Sequence, residues 1–251
     1  MATVRDVYDF LDSVAPFSAQ MSFDNSGLQV GGWNWEVRAA AVALDATPEV
    51  IAQAAQAGAG LLITHHPVLY RARKQLPDGD PAFQLARLGI ASIACHTSLD
   101  CAPGGVNDVL AGRLGLRDVI VLPTAEGPAP CVRIGTVAET TAEGLARLVG
   151  ERLGAAVRCT DGGQSITRVA VCGGEGGSFL PEILGKAEAY VLGDADYHDF
   201  LAARQAGLTL VAAGHFETEV PVVEALSARL REKFPQISWI AMQETSGIRH
   251  C

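Results

Sequence analysis

Short apolar runs of strand length recur along this chain: Ala40–Leu44, Gly60–Thr64, Ala91–Cys95, Val132–Ala138, Arg168–Cys172, Ala189–Gly193 and Leu208–Gly214. Most are separated by stretches whose apolar positions repeat with helical spacing, such as Pro48–Gly58 and Thr141–Gly154. Strands that are apolar on both faces and alternate with helices predict an α/β fold with mostly parallel sheets, covered on both sides. The stretch Leu122–Cys131 holds three prolines and a glycine and is the best candidate boundary. It divides the chain into two similar-sized α/β lobes, 1–124 carrying His65, His66 and Asp100, and 125–251 carrying His215 and Glu219.

Polar residues of one chemical kind follow the apolar runs. Four times a helical stretch ends, a strand follows, and histidine or carboxylate appears at its exit. These exits carry His65 and His66; His96 and Asp100; Asp194, Asp196 and His198; and His215, Glu217 and Glu219. The spacing from Gly58 to His65 equals that from Gly89 to His96, and Gly207 to His215 is one residue longer. In open α/β sheets, ligands bind beyond the carboxyl ends of the strands. Five of the six histidines stand at such ends, which predicts a shared site there, between the lobes.

Imidazole and carboxylate without thiolate suit a borderline divalent ion: zinc, iron, manganese, cobalt or nickel. Successive side chains of an extended segment point to opposite sides, so His65 and His66 reach one ion only if the backbone turns. Two ions, each taking one histidine, is the easier arrangement; the alternative is one ligand and one supporting histidine. Pro67 biases His66 toward an extended conformation. If a helix begins near His215, Glu219 lies four residues on and shares its face, which makes it the better ligand, with Glu217 solvated or in a supporting position behind the ligands. Asp100 is preferred as a charge-offsetting ligand, and His96 is left open as ligand or supporting donor.

Other segments read more weakly. Asp24–Gly27 is a turn by composition. The glycine-rich segment 173–177 follows a strand and reads as a tight turn, with phosphate binding by its amides as the alternative. The basic run Arg71–Lys74 is a solvated loop, or a place where Arg71 and Lys74 receive a substrate phosphate.

The segments "SFDNSGLQVG", "THHPVLY", "HTSLDCAPGGVNDVLAGRLGL", "GDADYHD" and "AGHFETE" resemble, in order and spacing, the signatures of the Nif-three-like dinuclear metal-centre family. That family is also labelled GTP cyclohydrolase I type 2 homologues. The resemblance runs from Asp6 to Glu219 and fits the short form, without the central insert of longer members. It implies that His65, His66, Asp100, His215 and Glu219 ligate two metal ions, and that Asp24 and Asn25 form a wall of the site. His198 resembles a family histidine near the site and is the candidate for general acid–base work. The resemblance also implies a toroidal homo-hexamer. Phe23 departs from the pattern, since the family usually has tryptophan before the Asp-Asn pair.

Composition narrows the partners. The chain has 251 residues, 49% hydrophobic and 19% charged, with a formal net charge of -9. That charge argues against nucleic acid as a partner. No apolar run approaches the ~20 residues that span a bilayer, and the first residues lack the pattern of a secretory signal, so a cytoplasmic protein is expected. The six cysteines are scattered with no CxxC pair, which suggests reduced thiols. The leading functional expectation is a metal-dependent hydrolase acting on a small phosphorylated or nucleotide-like substrate, with GTP cyclohydrolase-type activity implied by the family label. The alternatives are a non-catalytic regulatory or metal-trafficking protein, and a scaffold for protein partners.

Overall fold

A computed structural model describes residues 1–125, 127 and 129–249. Glu126 and Pro128 of the proline-rich stretch, and His250 and Cys251, lie outside the described residues. In chain order the elements begin with α1 (Val4–Val14), β1 (Gly27–Val30), β2 (Ala39–Ala43), α2 (Pro48–Gln56), β3 (Leu61–Thr64), α3 (Pro81–Leu88), β4 (Ala91–Ala94) and α4 (Thr97–Cys101). There follow α5 (Val106–Leu114), β5 (Arg117–Val121), β6 (Arg133–Thr140), α6 (Ala142–Leu153), β7 (Arg158–Thr160), β8 (Ile166–Cys172) and α7 (Leu180–Ile183). The last are β9 (Ala189–Leu192), α8 (Tyr197–Gln205), β10 (Thr209–Ala212), α9 (His215–Glu219), α10 (Pro221–Lys233) and β11 (Ser238–Ala241).

Local chemistry sets the helix ends. Thr3 and Asp6 close a reciprocal capping box at the start of α1. Asp80 caps α3, Pro81 opens its first turn, and Gly89 ends it in the left-handed conformation. Thr47 and Pro48 do the same for the start of α2.

The chain forms two compact units. The first comprises Met1–Pro103 and Val223–Thr245, and the second Gly104–Val222 with the residues from Ser246 onward. The division thus differs from the one suggested by the proline-rich stretch. The reason is a strand pairing: β11, near the end of the chain, lies parallel to β2, with Ser238 opposite Ala39, so that segment belongs with the first unit.

The sheet of the first unit has the order β1-β4-β3-β2-β11. All its pairs are parallel except β1 with β4. β3 and β4 are buried along their whole length, as strands covered on both faces must be. One core, with Ala41, Val50, Ile51, Leu62 and Leu85, fills the space under α2 and α3.

The second sheet has the order β5-β6-β8-β9-β10-β7. Here the expectation of mostly parallel pairing is corrected. β8, β9 and β10 are parallel, but β5–β6, β6–β8 and β7–β10 are antiparallel. Parallel pairs need a crossover, and α7 and α8 supply those between β8, β9 and β10. Leu110, Leu145, Val149, Val169 and Val191 lie in the core of this unit.

The cysteines also correct an expectation. Cys95, Cys159 and Cys172 are free, whereas Cys101 and Cys131 each take part in a disulfide. Burial pushes the Cys95 thiol far above its ordinary range, which makes it a poor nucleophile. No helix among the described residues is long and apolar enough to cross a membrane.

Candidate metal centre

In the first unit, three parallel strands end level: Ala43 pairs with Thr64, and Thr64 with Ala94. The ladder continues for one step more, through His65 N–H to Ala43 O (3.1 Å), His66 N–H to Leu44 O (3.0 Å) and Cys95 N–H to Thr64 O (2.8 Å). Asp45, His65, His66 and His96 therefore collect at one end of the sheet. The Thr64 hydroxyl donates to the His66 carbonyl at 2.7 Å, which closes a tight turn. That turn is what lets two adjacent histidines face one region, where an extended segment would have split them. Their ring centroids are 4.9 Å apart, and those of His65 and His96 5.3 Å. One ligand nitrogen from each of His65, His66 and His96 lies within 4.8 Å of the others, a group that could hold a metal ion.

Each ring is anchored through Nδ1. His65 Nδ1 meets the Cys95 carbonyl, His66 Nδ1 the Asp45 carboxylate, and His96 Nδ1 the Asp24 carboxylate, all at 2.8 Å. Such partners fix the tautomer and the ring orientation of metal-ligating histidines and raise their basicity. Asp24 is itself held by Thr97, through the amide at 3.0 Å and the hydroxyl at 2.6 Å, and by the Asn25 amide at 2.6 Å. Burial alone would raise its pKa, but the hydrogen bonds from His96 and Thr97 outweigh it and hold the carboxyl well below the usual range. The side-chain amide of Asn25 donates to the Leu69 carbonyl at 2.7 Å.

The second unit repeats the device. Cys172, Leu192 and Ala212 lie in register at the ends of β8, β9 and β10. Gly214, at φ +92°, turns the chain into α9, and that short helix places His215 and Glu219 on one face. His215 Nε2 is 3.1 Å from Glu219 Oε2, and Asp194 at the exit of β9 meets His215 Nδ1 at 3.1 Å. Glu219 is only 4% exposed, whereas Glu217 is half-buried.

The glycine-rich segment 173–177 supports this pair. Its amides are used within the fold: Gly173 donates to Asn107 Oδ1 (2.7 Å), Gly174 to Thr218 Oγ1 (3.2 Å) and Gly176 to the Gly174 carbonyl (3.1 Å). A Cβ on Gly174 would collide with Glu219 Oε1 and stand 3.3 Å from His215 Nε2. Gly174 is thus the position that lets the backbone approach the two side chains.

The distances within each unit suit an ion. Two ligand atoms ~2.0–2.1 Å from a tetrahedral ion stand about 3.4 Å apart. His65 Nε2 lies 3.5 Å from Asp100 Oδ1, and His215 Nε2 lies 3.1 Å from Glu219 Oε2. Both pairs are chelating in their spacing, and both pair a neutral-capable imidazole with a carboxylate.

The remaining candidates lie on exposed segments. Arg71 and Lys74 are exposed on the loop from β3 to α3, and among the described residues no contact ties either to the histidines. Arg73 of the same run is instead held by Asp80 and the Val68 carbonyl. His198 is exposed in the first turn of α8 and packs edge-on against Tyr197, with ring centroids 5.4 Å apart. Sequence reading missed Asp45, although an acid directly beyond a strand is the same signal that revealed the histidines. It also missed Glu244, which accepts from the Leu44 and Asp45 amides at 2.6 and 2.9 Å and has no local signature.

The fold and these side chains define a class: an α/β protein with histidine and carboxylate groups, suited to a metal ion, at the carboxyl ends of parallel strands. Residues 2–247 match the family described as Duf34/NIF3 (NGG1p interacting factor 3), and the chain belongs to that family. It is similar to a protein of Clostridium perfringens named GTP cyclohydrolase 1 type 2 homolog, with 31% identity over 242 residues that cover 92% of each chain. A Lactococcus lactis protein of the same name is 33% identical over 223 residues, 84% of this chain and 86% of that one. The crystal structure of a hypothetical protein from Staphylococcus aureus superposes with a TM-score of 0.93 over 99% of each chain, at 26% identity.

Two outcomes test this geometry. Asp24→Asn is expected to destabilise the protein by ~1–3 kcal/mol at pH 7, since hydrogen bonds to a charged acceptor are lost or weakened. A lowered folded-state pKa gives stability that is present above the unfolded value, ~3.9, and is lost as pH falls below it. Urea unfolding of wild type and variant should therefore converge on acidification; a gap that persists in acid contradicts the role given to the carboxylate. Gly174→Ala is expected to weaken divalent-ion binding about 10–100-fold, the range for disturbing groups that orient ligands. Competition against a chromophoric chelator reads this directly.

Proposed function

We propose that this protein is a metal-dependent hydrolase that binds two divalent ions per chain and acts on a small phosphorylated or nucleotide-like molecule. The observation that carries the reading is the anchoring of His65, His66, His96 and His215 through Nδ1, with Nε2 of His65 and His215 at chelating distance from carboxylates. His65, His66, Asp100, His215 and Glu219 are assigned as ligands, and His96 as a further donor beside His65 and His66. When bound, divalent ions make water a competent nucleophile near neutral pH. The carboxylates Asp100 and Glu219 offset the cationic charge, while Asp45, Asp24 and Asp194 hold the imidazoles in one tautomer. His198 is assigned as the proton donor to the leaving group. The name of the curated relatives supports a nucleotide as substrate, with opening of a purine ring as one reaction to screen.

Metal analysis of replete protein is expected to give two ions per chain; saturation at one rejects the dinuclear assignment. His66→Ala should lose metal and hydrolysis together. His198→Ala should keep its metal and lower turnover about 10²–10⁴-fold, as loss of a general acid does. If His198→Ala loses metal, the residue is a ligand instead. If a fully loaded protein turns over no phosphoester, nucleotide or amide, a non-catalytic regulatory or trafficking role takes its place.

We also propose that the chain assembles as a homo-hexamer. The supporting feature is β5, an edge strand exposed along its length, on which Ile120 is 62% exposed. Apolar edges of this kind invite pairing unless covered, and a closed ring covers them. Light scattering should return six chain masses, falling on Ile120→Asp; a monomer mass across concentrations rejects the assembly.

A further inference from the structure

Two large aromatic side chains stand in solvent beside the histidine cluster of the first unit. Phe23 is 58% and Tyr70 42% exposed. Their rings meet edge to face at 6.5 Å and 70°, and Tyr70 meets His96 edge-on at 6.1 Å. Tyr70 lies four residues beyond His66, and Phe23 directly precedes the Asp24 that anchors His96.

The loops that carry them are pinned together. The Asn25 side chain donates to the Leu69 carbonyl at 2.7 Å, the Leu69 amide donates to Gln29 Oε1 at 3.1 Å, and Gln29 Nε2 donates to the Asn25 carbonyl at 2.6 Å. Asp24 is fixed in turn by His96 and Thr97. Exposed rings usually belong to mobile side chains that gain nothing from a rigid base. Here three side-chain hydrogen bonds hold the backbone under both rings, so little conformational entropy remains to be lost when a ligand settles on them. Edge-to-face rings leave a π-face open to an incoming flat group. Arg71, exposed and next in the chain to Tyr70, is a cation carried by the same loop.

We propose that Phe23 and Tyr70 form a stacking platform for a planar aromatic heterocycle that bears an anionic group. The platform sets substrate specificity and positions the rest of the molecule against the histidine cluster. It rests on the hydrolase reading above for its purpose, but not for its ability to bind.

The test is titration calorimetry on the full chain with guanosine 5′-monophosphate, adenosine 5′-monophosphate and ribose 5-phosphate, with metal content and molecular mass measured on every sample. Both nucleotides are expected to bind, and ribose 5-phosphate to bind at least tenfold more weakly. Phe23→Ala and Tyr70→Ala should each weaken nucleotide binding about 5- to 150-fold, the range for removing one stacked aromatic. Phe23→Trp should restore it, and metal content should not change in any of the three. Equal affinity for all three probes, or unchanged nucleotide affinity in both alanine variants, overturns the proposal. A fall in mass on Phe23→Ala without a loss of affinity overturns it too, because the rings then serve contacts between chains. Loss of metal in wild type would strike the hydrolase reading alone, since stacking needs no ion.

Discussion

Parallel strands bonded in register must end at the same height, and the candidate site of each unit is a consequence of that constraint. In the first unit Ala43, Thr64 and Ala94 are fixed opposite one another; in the second Cys172, Leu192 and Ala212 are. Residues just beyond those positions have no choice but to crowd together. A slip of one residue would turn each strand's side chains to the opposite face and scatter the histidines. The buried apolar runs that forbid such a slip therefore act, at one remove, as the scaffold of the chemistry.

Crowding alone would leave imidazole rings free to turn. Here every clustered histidine is tied by Nδ1, once to a carbonyl and three times to a carboxylate. The anchors are themselves anchored, Asp24 by Thr97 and the Asp45 backbone by Glu244. A chain that needed these histidines only for packing would satisfy one nitrogen with a carbonyl and expose the other. Asp24 is the costly partner, since its side chain is fully buried, while Asp45 and Asp194 stay partly exposed; carboxylates in this position raise the basicity of the imidazole they hold. The same outer ring of residues carries the Phe23 and Tyr70 loops, so the orientation of the histidines and the proposed recognition of substrate share one hydrogen-bonded base.

Much of this was legible in the linear chain. Strand-length apolar runs located the central strands, and the repeated spacing from a helix-ending glycine to a polar residue located His65, His96 and His215. The period of a helix separated Glu219 from Glu217, and the structure places Glu219 3.1 Å from His215. Edge strands escaped notice: β1, β5 and β7 are short or exposed, so no continuous apolar run marks them. β11 lies far in sequence from its partner β2, and no local pattern can announce a pairing across that separation. The division into units followed from that pairing rather than from the prolines of Leu122–Cys131.

The sequence by itself determined the α/β class, the family and the identity of the chemical groups, because periodicity, residue type and spacing are local properties that survive in one dimension. Only tertiary structure decided which nitrogen each histidine presents, that the turn closed by Thr64 lets His65 and His66 face one region, and that Gly174 makes room for Glu219. Those outcomes depend on hydrogen bonds and close approaches between residues far apart in the chain, such as Asp24 with His96 and Gly174 with Glu219. No single stretch of sequence contains both partners, so the fold alone brings them within reach.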